Sequence, residues 1–283
     1  MSLLYFFIIL IVSAAISNSL ISKPLSNETH LRHRRIVNGQ RIQIAKVPYQ
    51  VAIIWRSYLV CGGSIIAPTW ILTAAHCLQG YEPIYKEMKV RAGSDRRHIG
   101  GELRKIRWQR IHAQFHPKHL INDIALLNLD GPFQLNQDVV CIRLPPQGHF
   151  PTEGENALVS GWGKTDPKAD KKNPDSYPVN LNFVILPIMP FVQCRMFYKK
   201  FTMDGDLQFC AGFVTGGKDA CTGDSGGPMA MNNYQVGVVS WGLSCAKPRQ
   251  PGVFTNVGTY VDWIYNTLKS KTRAGALQCS RYL

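Results

Sequence analysis

Between Ile36 and about Leu268 the chain is a succession of short apolar runs cut apart by Gly, Pro, Asn and Asp. YQVAII (49–54), ALLNL (125–129), ALVS (157–160), QVGVVS (235–240) and GVFTN (252–256) have the length and β-branched content of strands. The turn residues between them break any continuous helix, and charge-rich helical patterns are rare. Only near the end does the spacing change. Val261, Ile264 and Leu268 recur at helical spacing and predict one closing helix. No internal repeat is present. Many short strands with frequent turn signals predict an all-β sandwich or a pair of barrels. With 283 residues and 45% hydrophobic content, the chain can bury its core as one large domain or two smaller ones.

The first residues bear on the compartment. LLYFFIILIV (3–12), followed by small residues around Ser13–Ser17, predicts a signal peptide over residues 1–17. No Lys or Arg precedes the apolar run, so a short signal anchor is the alternative reading. Eight cysteines, an even number, suit an oxidising compartment and a secreted, extracellular protein. Asn27-Glu28-Thr29 is a glycosylation sequon, usable only on such a chain. Arg32-His33-Arg34-Arg35 is either a charged linker or a processing site that frees the amine of Ile36. A convertase reading the whole Arg-x-Arg-Arg pattern, or an enzyme cutting after Arg35 alone, would serve. The net charge is +14, and removing residues 1–35 takes 32 basic and 18 acidic residues to 28 and 17, leaving +11. Such a balance suits a polyanionic partner or plain solvated charge. No nucleic-acid-binding motif is present, and nucleic acid is not expected as a partner.

Three separated segments carry the chemistry. TAAHC (73–77) places His76 beside Cys77, NDIALLNL (122–129) puts Asp123 before an apolar strand, and GDSGGP (223–228) presents Ser225 among glycines. A serine hydroxyl barely ionises near neutrality. It becomes a nucleophile when a neutral imidazole takes its proton and a buried carboxylate fixes the imidazole's tautomer. Glycines around the serine let two N–H groups, those of Gly223 and Ser225, converge on a developing oxyanion. Each segment alone has a bland reading: a structural His, or an Asp that merely caps a turn.

Together with IVNG (36–39), CGGS (61–64), SGWGKT (160–165), FCAG (209–212) and SWG (240–242), these segments resemble the trypsin-like serine proteases, in their His, Asp, Ser chain order. The resemblance covers roughly residues 36–268. It implies two six-stranded antiparallel Greek-key β-barrels with a C-terminal helix and an active site between them. By the same resemblance, residues 18–35 are an activation propeptide, 36–268 the protease domain and 269–283 a basic C-terminal tail. Cleavage after Arg35 would let the Ile36 ammonium pair with Asp224 and organise the oxyanion hole, so the uncut chain would be a zymogen. Asp219 matches the floor of the primary specificity pocket, where a carboxylate selects a cationic side chain. Gly242 and Gly252 match its walls, while Trp241 and the backbone of Ser240 and Gly242 would line the substrate strand. The implied activity is cleavage after Arg or Lys.

The departures from the family pattern carry their own expectations. Ala220 stands where many trypsins have a serine, which removes a hydroxyl that can help satisfy a lysine ammonium. Ser244 replaces a glycine at the pocket entrance, so a narrower rim is expected. Ser94 and Arg96 occupy positions where calcium-binding trypsins supply oxygen ligands, and no calcium site is expected. Residues 166–176 form a charged loop, either a self-cleavage target or a solvated surface. The resemblance implies bridges Cys61–Cys77, Cys194–Cys210 and Cys221–Cys245, and the family bridge at the positions of Ala157 and Met231 is absent. Cys141 and Cys279 remain, with each other or another molecule as partner. No cofactor or metal is expected. The expected partners are protein or peptide substrates, an activating protease, protein inhibitors and polyanions. The alternative from a different class is a catalytically weak homologue acting as a binding scaffold.

Overall fold

The structure is a computed structural model that describes residues 36–80, 84–170 and 172–271. The expected signal peptide, sequon and propeptide, Arg35 included, and the tail beyond Lys271, Cys279 included, lie outside the described residues. Strands β1 (Gln40–Arg41), β2 (Gln50–Trp55), β3 (Tyr58–Ala67), β4 (Trp70–Thr73), β5 (Lys89–Ala92), β6 (Glu102–Ile111) and β7 (Ala125–Leu129) come first. Then follow β8 (Asn156–Gly161), β9 (Asn182–Met189), β10 (Gln208–Ala211), β11 (Pro228–Met231), β12 (Tyr234–Trp241) and β13 (Gly252–Asn256). Helix α1 (Phe191–Phe197) follows β9, and α2 (Val261–Lys271) follows β13.

All ladders are antiparallel and both sheets close on themselves. In the first barrel the order is β2-β3-β4-β7-β6-β5, with β5 returning to β2. In the second it is β8-β9-β10-β13-β12-β11, with β11 returning to β8 and β1 added outside β9. Closure leaves neither barrel with an unpaired edge of its own. The expected all-β, two-barrel architecture is the observed one, and the runs read as strands are β2, β7, β8, β12 and β13.

Each barrel has its own apolar filling, because alternate strand residues point inward. Val51, Ile53, Ile65, Ile71, Leu72 and Leu126 belong to the first core; Ile36, Val159, Val184, Phe209 and Phe254 belong to the second. The closing helix buries Val261, Ile264 and Leu268, as its spacing predicts. Ile264 and Leu268 pack into the first core although the helix follows a second-barrel strand. Burial of two such side chains contributes about 3–6 kcal/mol to holding the barrels together. The helix runs on to Lys271, so the first three residues of the segment expected as a tail are helical.

The three core bridges form as the resemblance implies: Cys61–Cys77, Cys194–Cys210 and Cys221–Cys245. Cys141 is also disulfide-bonded, and its expected partner Cys279 lies outside the described residues. Ala157 and Met231 are both buried in the second core, apolar contact standing where a bridge is missing.

Candidate active site

β4 ends at Thr73, and the chain turns through one tight helical turn, Ala75–Cys77, that carries His76. The Cys61–Cys77 bridge ties that turn to β3. Asp123 stands two residues ahead of β7, the strand paired with β4, so the sheet itself brings Asp123 to His76. The Asp123 carboxylate is fully buried and accepts three hydrogen bonds. The donors are His76 N at 2.9 Å, His76 Nδ1 at 2.8 Å and Ser240 Oγ at 2.5 Å. With Nδ1 donating, the neutral ring keeps Nε2 as its proton acceptor. Thr255 Oγ1 donates to the Asp123 carbonyl at 2.9 Å, so a second-barrel strand fixes this residue from the other side. Sequence reading assigned Ser240 a backbone role only. Its hydroxyl lies 117 residues from its partner, a contact that no local pattern signals.

Ser225 sits in the turn that leads into β11. Gly62 N donates to Ser225 O at 2.8 Å, and Gly226 N donates to Val239 O at 2.8 Å, which locks the turn against both barrels. A Cβ on Gly226 would collide with Thr73 Oγ1, so only glycine lets the serine turn approach the histidine turn this closely. No hydrogen bond joins Ser225 Oγ to His76, and such bonds are often long before substrate binds. The N–H groups of Gly223 and Ser225 donate to nothing among the described residues, so both remain available to an oxyanion. Gly223 has φ +102°, a conformation that favours glycine. A Cβ there would also press on the Tyr177 ring at 2.9 Å.

Tyr177 is a residue that sequence reading did not single out. Its segment is held from the far side by Arg97, whose guanidinium donates to the carbonyls of Pro178 at 3.1 Å and Pro174 at 3.2 Å. The charged loop before it exposes Lys168 and Lys172 but buries Lys164, whose Nζ donates to the Ala169 carbonyl at 2.7 Å. In the 91–102 loop, Ser94 shares the filling with Arg91. The Arg91 guanidinium donates to the Gly100 and His98 carbonyls, and Ser94 Oγ to the Ile99 carbonyl at 2.7 Å. Three of the loop's carbonyl oxygens are thereby already occupied.

Beside Ser225 opens a pocket lined by Asp219, Ala220, Ser240, Trp241, Gly242, Ser244, Gly252 and Phe254, among others. Asp219 is 4% exposed. Its Oδ2 accepts from Ala246 N at 2.9 Å, while its buried Oδ1 makes no hydrogen bond. Burial pushes its pKa up to about 7. The Ala246 N–H opposes this, as does the Ala220 N–H at a geometry short of a hydrogen bond. A Cβ on Gly252 would stand 3.1 Å from Asp219 Oδ1, and one on Gly242 would meet nothing nearer than 3.9 Å, projecting into open space. Both glycines therefore keep the pocket clear. Phe254 adds an apolar wall that sequence reading missed, although it lies two residues from Gly252 on the same face of β13.

Asp224 is fully buried, with Oδ1 accepting from Gly163 N at 2.7 Å and Oδ2 from Cys221 N at 2.9 Å. A Cβ on Gly161 or Gly163 would collide with the carboxylate, which is clamped between these two glycines. Among the described residues no cation pairs with it, and burial raises its pKa to about 6. Ile36 is completely buried in the second core, the cluster that also holds Ala220.

The trypsin family profile matches residues 36–264. Among curated relatives, "Trypsin" of Phaedon cochleariae is 36% identical over 81% of this chain and 86% of its own. "Trypsin Blo t 3" of Blomia tropicalis is 39% identical over 81% and 84%. "Putative trypsin-6" of Homo sapiens is 37% identical over 84% and 91%. With this match spanning both barrels and the His76–Asp123 and Ser225 turns between them, the chain belongs to the trypsin family of serine endopeptidases.

Proposed function

We propose that the protein is a secreted zymogen which, once cut after Arg35, hydrolyses peptide bonds after Arg in preference to Lys. Ser225 Oγ attacks the scissile carbonyl as His76 Nε2 takes its proton, and Asp123 stabilises the resulting imidazolium. The N–H groups of Gly223 and Ser225 hold the oxyanion. His76 then gives the proton to the leaving amine, which departs and leaves an acyl-enzyme on Ser225. Water repeats the sequence and releases the acid. Trp241 and the Ser240 and Gly242 backbone hold the substrate strand.

One observation carries the specificity: a buried carboxylate oxygen with no donor, Asp219 Oδ1, inside a pocket that opens beside Ser225. A buried acceptor left unmatched is costly, so the pocket favours a side chain that brings N–H donors and positive charge. Asp224 supports the activation step in the same way, as a buried carboxylate with no cation partner among the described residues. The freed Ile36 ammonium is the cation. Cys141 pairs with Cys279, which ties the C-terminal segment to the domain. The propeptide, residues 18–35, has no cysteine and leaves on activation. The test is to profile the Arg35-cleaved protein against a peptide library with Ser225→Ala as control. Cleavage confined to bonds after Arg and Lys is expected; cleavage after apolar residues, or none, would overturn the reading.

A further inference from the structure

The chain's positive charge is not spread evenly. Residues 84–111 hold nine Lys/Arg against three Asp/Glu, whereas residues 112–268 hold twelve against thirteen. Strands β5 and β6 of the first barrel hold six of these cations against one carboxylate, and the ladder register concentrates them further. Lys89 lies directly opposite Lys105, and both are exposed. Like charges directly opposite destabilise a sheet. Arg107 and Arg110 continue along β6, also exposed, so Lys105 to Arg110 spans about 17 Å of strand. At the end of the row Lys271 of α2 places its Nζ 5.3 Å from the centre of the Trp108 ring and lines a groove with Arg110. None of Lys89, Lys105, Arg107, Arg110 and Lys271 has a carboxylate partner among the described residues. On β5 and β6 the cations that do have internal partners are Arg91 and Arg104, bound to loop carbonyls and Glu102.

From this row we infer a binding surface for a linear sulfated polysaccharide, running from Lys89 and Lys105 along β6 to Lys271. A regularly spaced polyanion matches a straight row of unpaired cations. The row's own aromatic ring, Trp108, is capped by Lys271, which removes the stacking platform a single-stranded nucleic acid uses. The grooves bearing Trp263 and bearing Ile54 and Leu103 lie at the two ends of the row, and neither is lined by Lys105 or Arg107, so neither runs with the row as an acidic peptide would need. The surface shares no residue with the Asp123, Ser225 or Asp219 sites, so its binding is separable from catalysis.

The test uses the full Arg35-cleaved chain with Ser225→Ala, which prevents self-digestion. Its affinity for a heparin-derived oligosaccharide is measured at about 0.15 M ionic strength. A strip variant (Lys89→Gln, Lys105→Gln, Arg107→Gln, Arg110→Gln) should bind roughly thirtyfold more weakly and show a shallower salt dependence. A control of equal charge change on the second barrel (Lys168→Gln, Lys172→Gln, Lys199→Gln, Lys200→Gln) should lose less than about threefold. Should the fourfold strip variant not fold, Lys105→Gln and Arg107→Gln singly should each lower the salt needed to elute from heparin. Equal loss in strip and control would reduce the effect to net charge and overturn the proposal. So would binding of poly-glutamate, or of phosphatidylserine–phosphatidylcholine vesicles, as tight as that of the oligosaccharide, or no retention at this ionic strength.

Discussion

The His76 side of the cleft and the Asp219 side each bury carboxylates, but only one side is complete. Asp123 receives three donors from within the chain, one of them a ring that can itself become a cation. Asp219 and Asp224, in the second barrel, receive backbone N–H groups and no cation, and burial raises the pKa of both. An isolated buried charge is tolerated only when something arrives to pair with it. The contrast assigns the first barrel's acid to permanent machinery. On the proposed function, the second barrel's two acids would be receptors, one for the chain's own cut end and one for the substrate.

The largest break comes from the complete side. In the cleaved enzyme, Ser225→Ala, His76→Ala and Asp123→Asn should each cost about three or more orders of magnitude in kcat, non-additively, since the three act as one unit. Labelling of Ser225 by an organophosphorus reagent checks the same point in the wild type. Retained turnover in Ser225→Ala would place the nucleophile elsewhere; absence of labelling would favour an inert scaffold.

Asp224 comes next. Uncut Arg35→Gln should be at least about a hundredfold less active than the cut wild type, and Asp224→Asn equally so after cleavage, because each lacks one half of a buried pair. N-terminal sequencing beside the rate assay distinguishes a missing cut from a failed switch. Equal rates for cut and uncut protein would end this account of activation.

How much of this contrast was legible in the chain depends on distance along it. Strands such as Ala125–Leu129 and Gly252–Asn256 stand out because they are buried almost throughout and so read as short, largely apolar runs. Strand β6, ELRKIRWQRI, does not: it is solvated and charged along most of its length, with only Ile106 buried, so composition argues against a strand where the barrel has one. Helix α1, seven residues long, is too short for periodicity to appear. The triad segments are readable because each sits in its own local motif. The contacts that set them, Ser240 to Asp123 and Arg97 to the Tyr177 segment, join residues about 80 or more apart and exist only after folding. Arg91 shows the same limit: nothing local signals that its guanidinium reaches the His98 carbonyl and shares the filling of the 91–102 loop with Ser94.

A finer cut separates the two receptor acids by their surroundings. Asp219 lies among Ala220 and Phe254, with no hydroxyl from either. A guanidinium can engage a carboxylate through two parallel N–H bonds, whereas lysine's ammonium needs a further acceptor to complete its shell. Lysine should thus lose about 1–2 kcal/mol, or roughly tenfold in kcat/KM, and Ala220→Ser should lower the Arg/Lys ratio. Matched Arg and Lys peptides measure it. An unchanged ratio would mean the missing hydroxyl does not set the preference.

The smallest expected effect is on stability. An acid whose pKa is raised by folding, here from 3.8 to about 6 for Asp224, binds its proton more tightly in the native state. That stability is fully present below the unfolded pKa and is lost as pH rises through about 6. Uncut Arg35→Gln should therefore lose a few degrees in Tm between about pH 4 and pH 7, and the cut protein less, because its Ile36 ammonium compensates. Parallel curves for the two forms would mean that Ile36 does not reach Asp224.

The most direct test of a receptor acid awaiting its cation is the binding of a small arylamidine to the cleaved enzyme as a function of pH. With Asp219 titrating near 7 in the empty pocket, affinity should rise about tenfold per unit below pH 7 and level off above it. Asp219→Asn should abolish both the binding and the slope. Tight binding that ignores pH between 5 and 8, or that survives Asp219→Asn, would contradict the account.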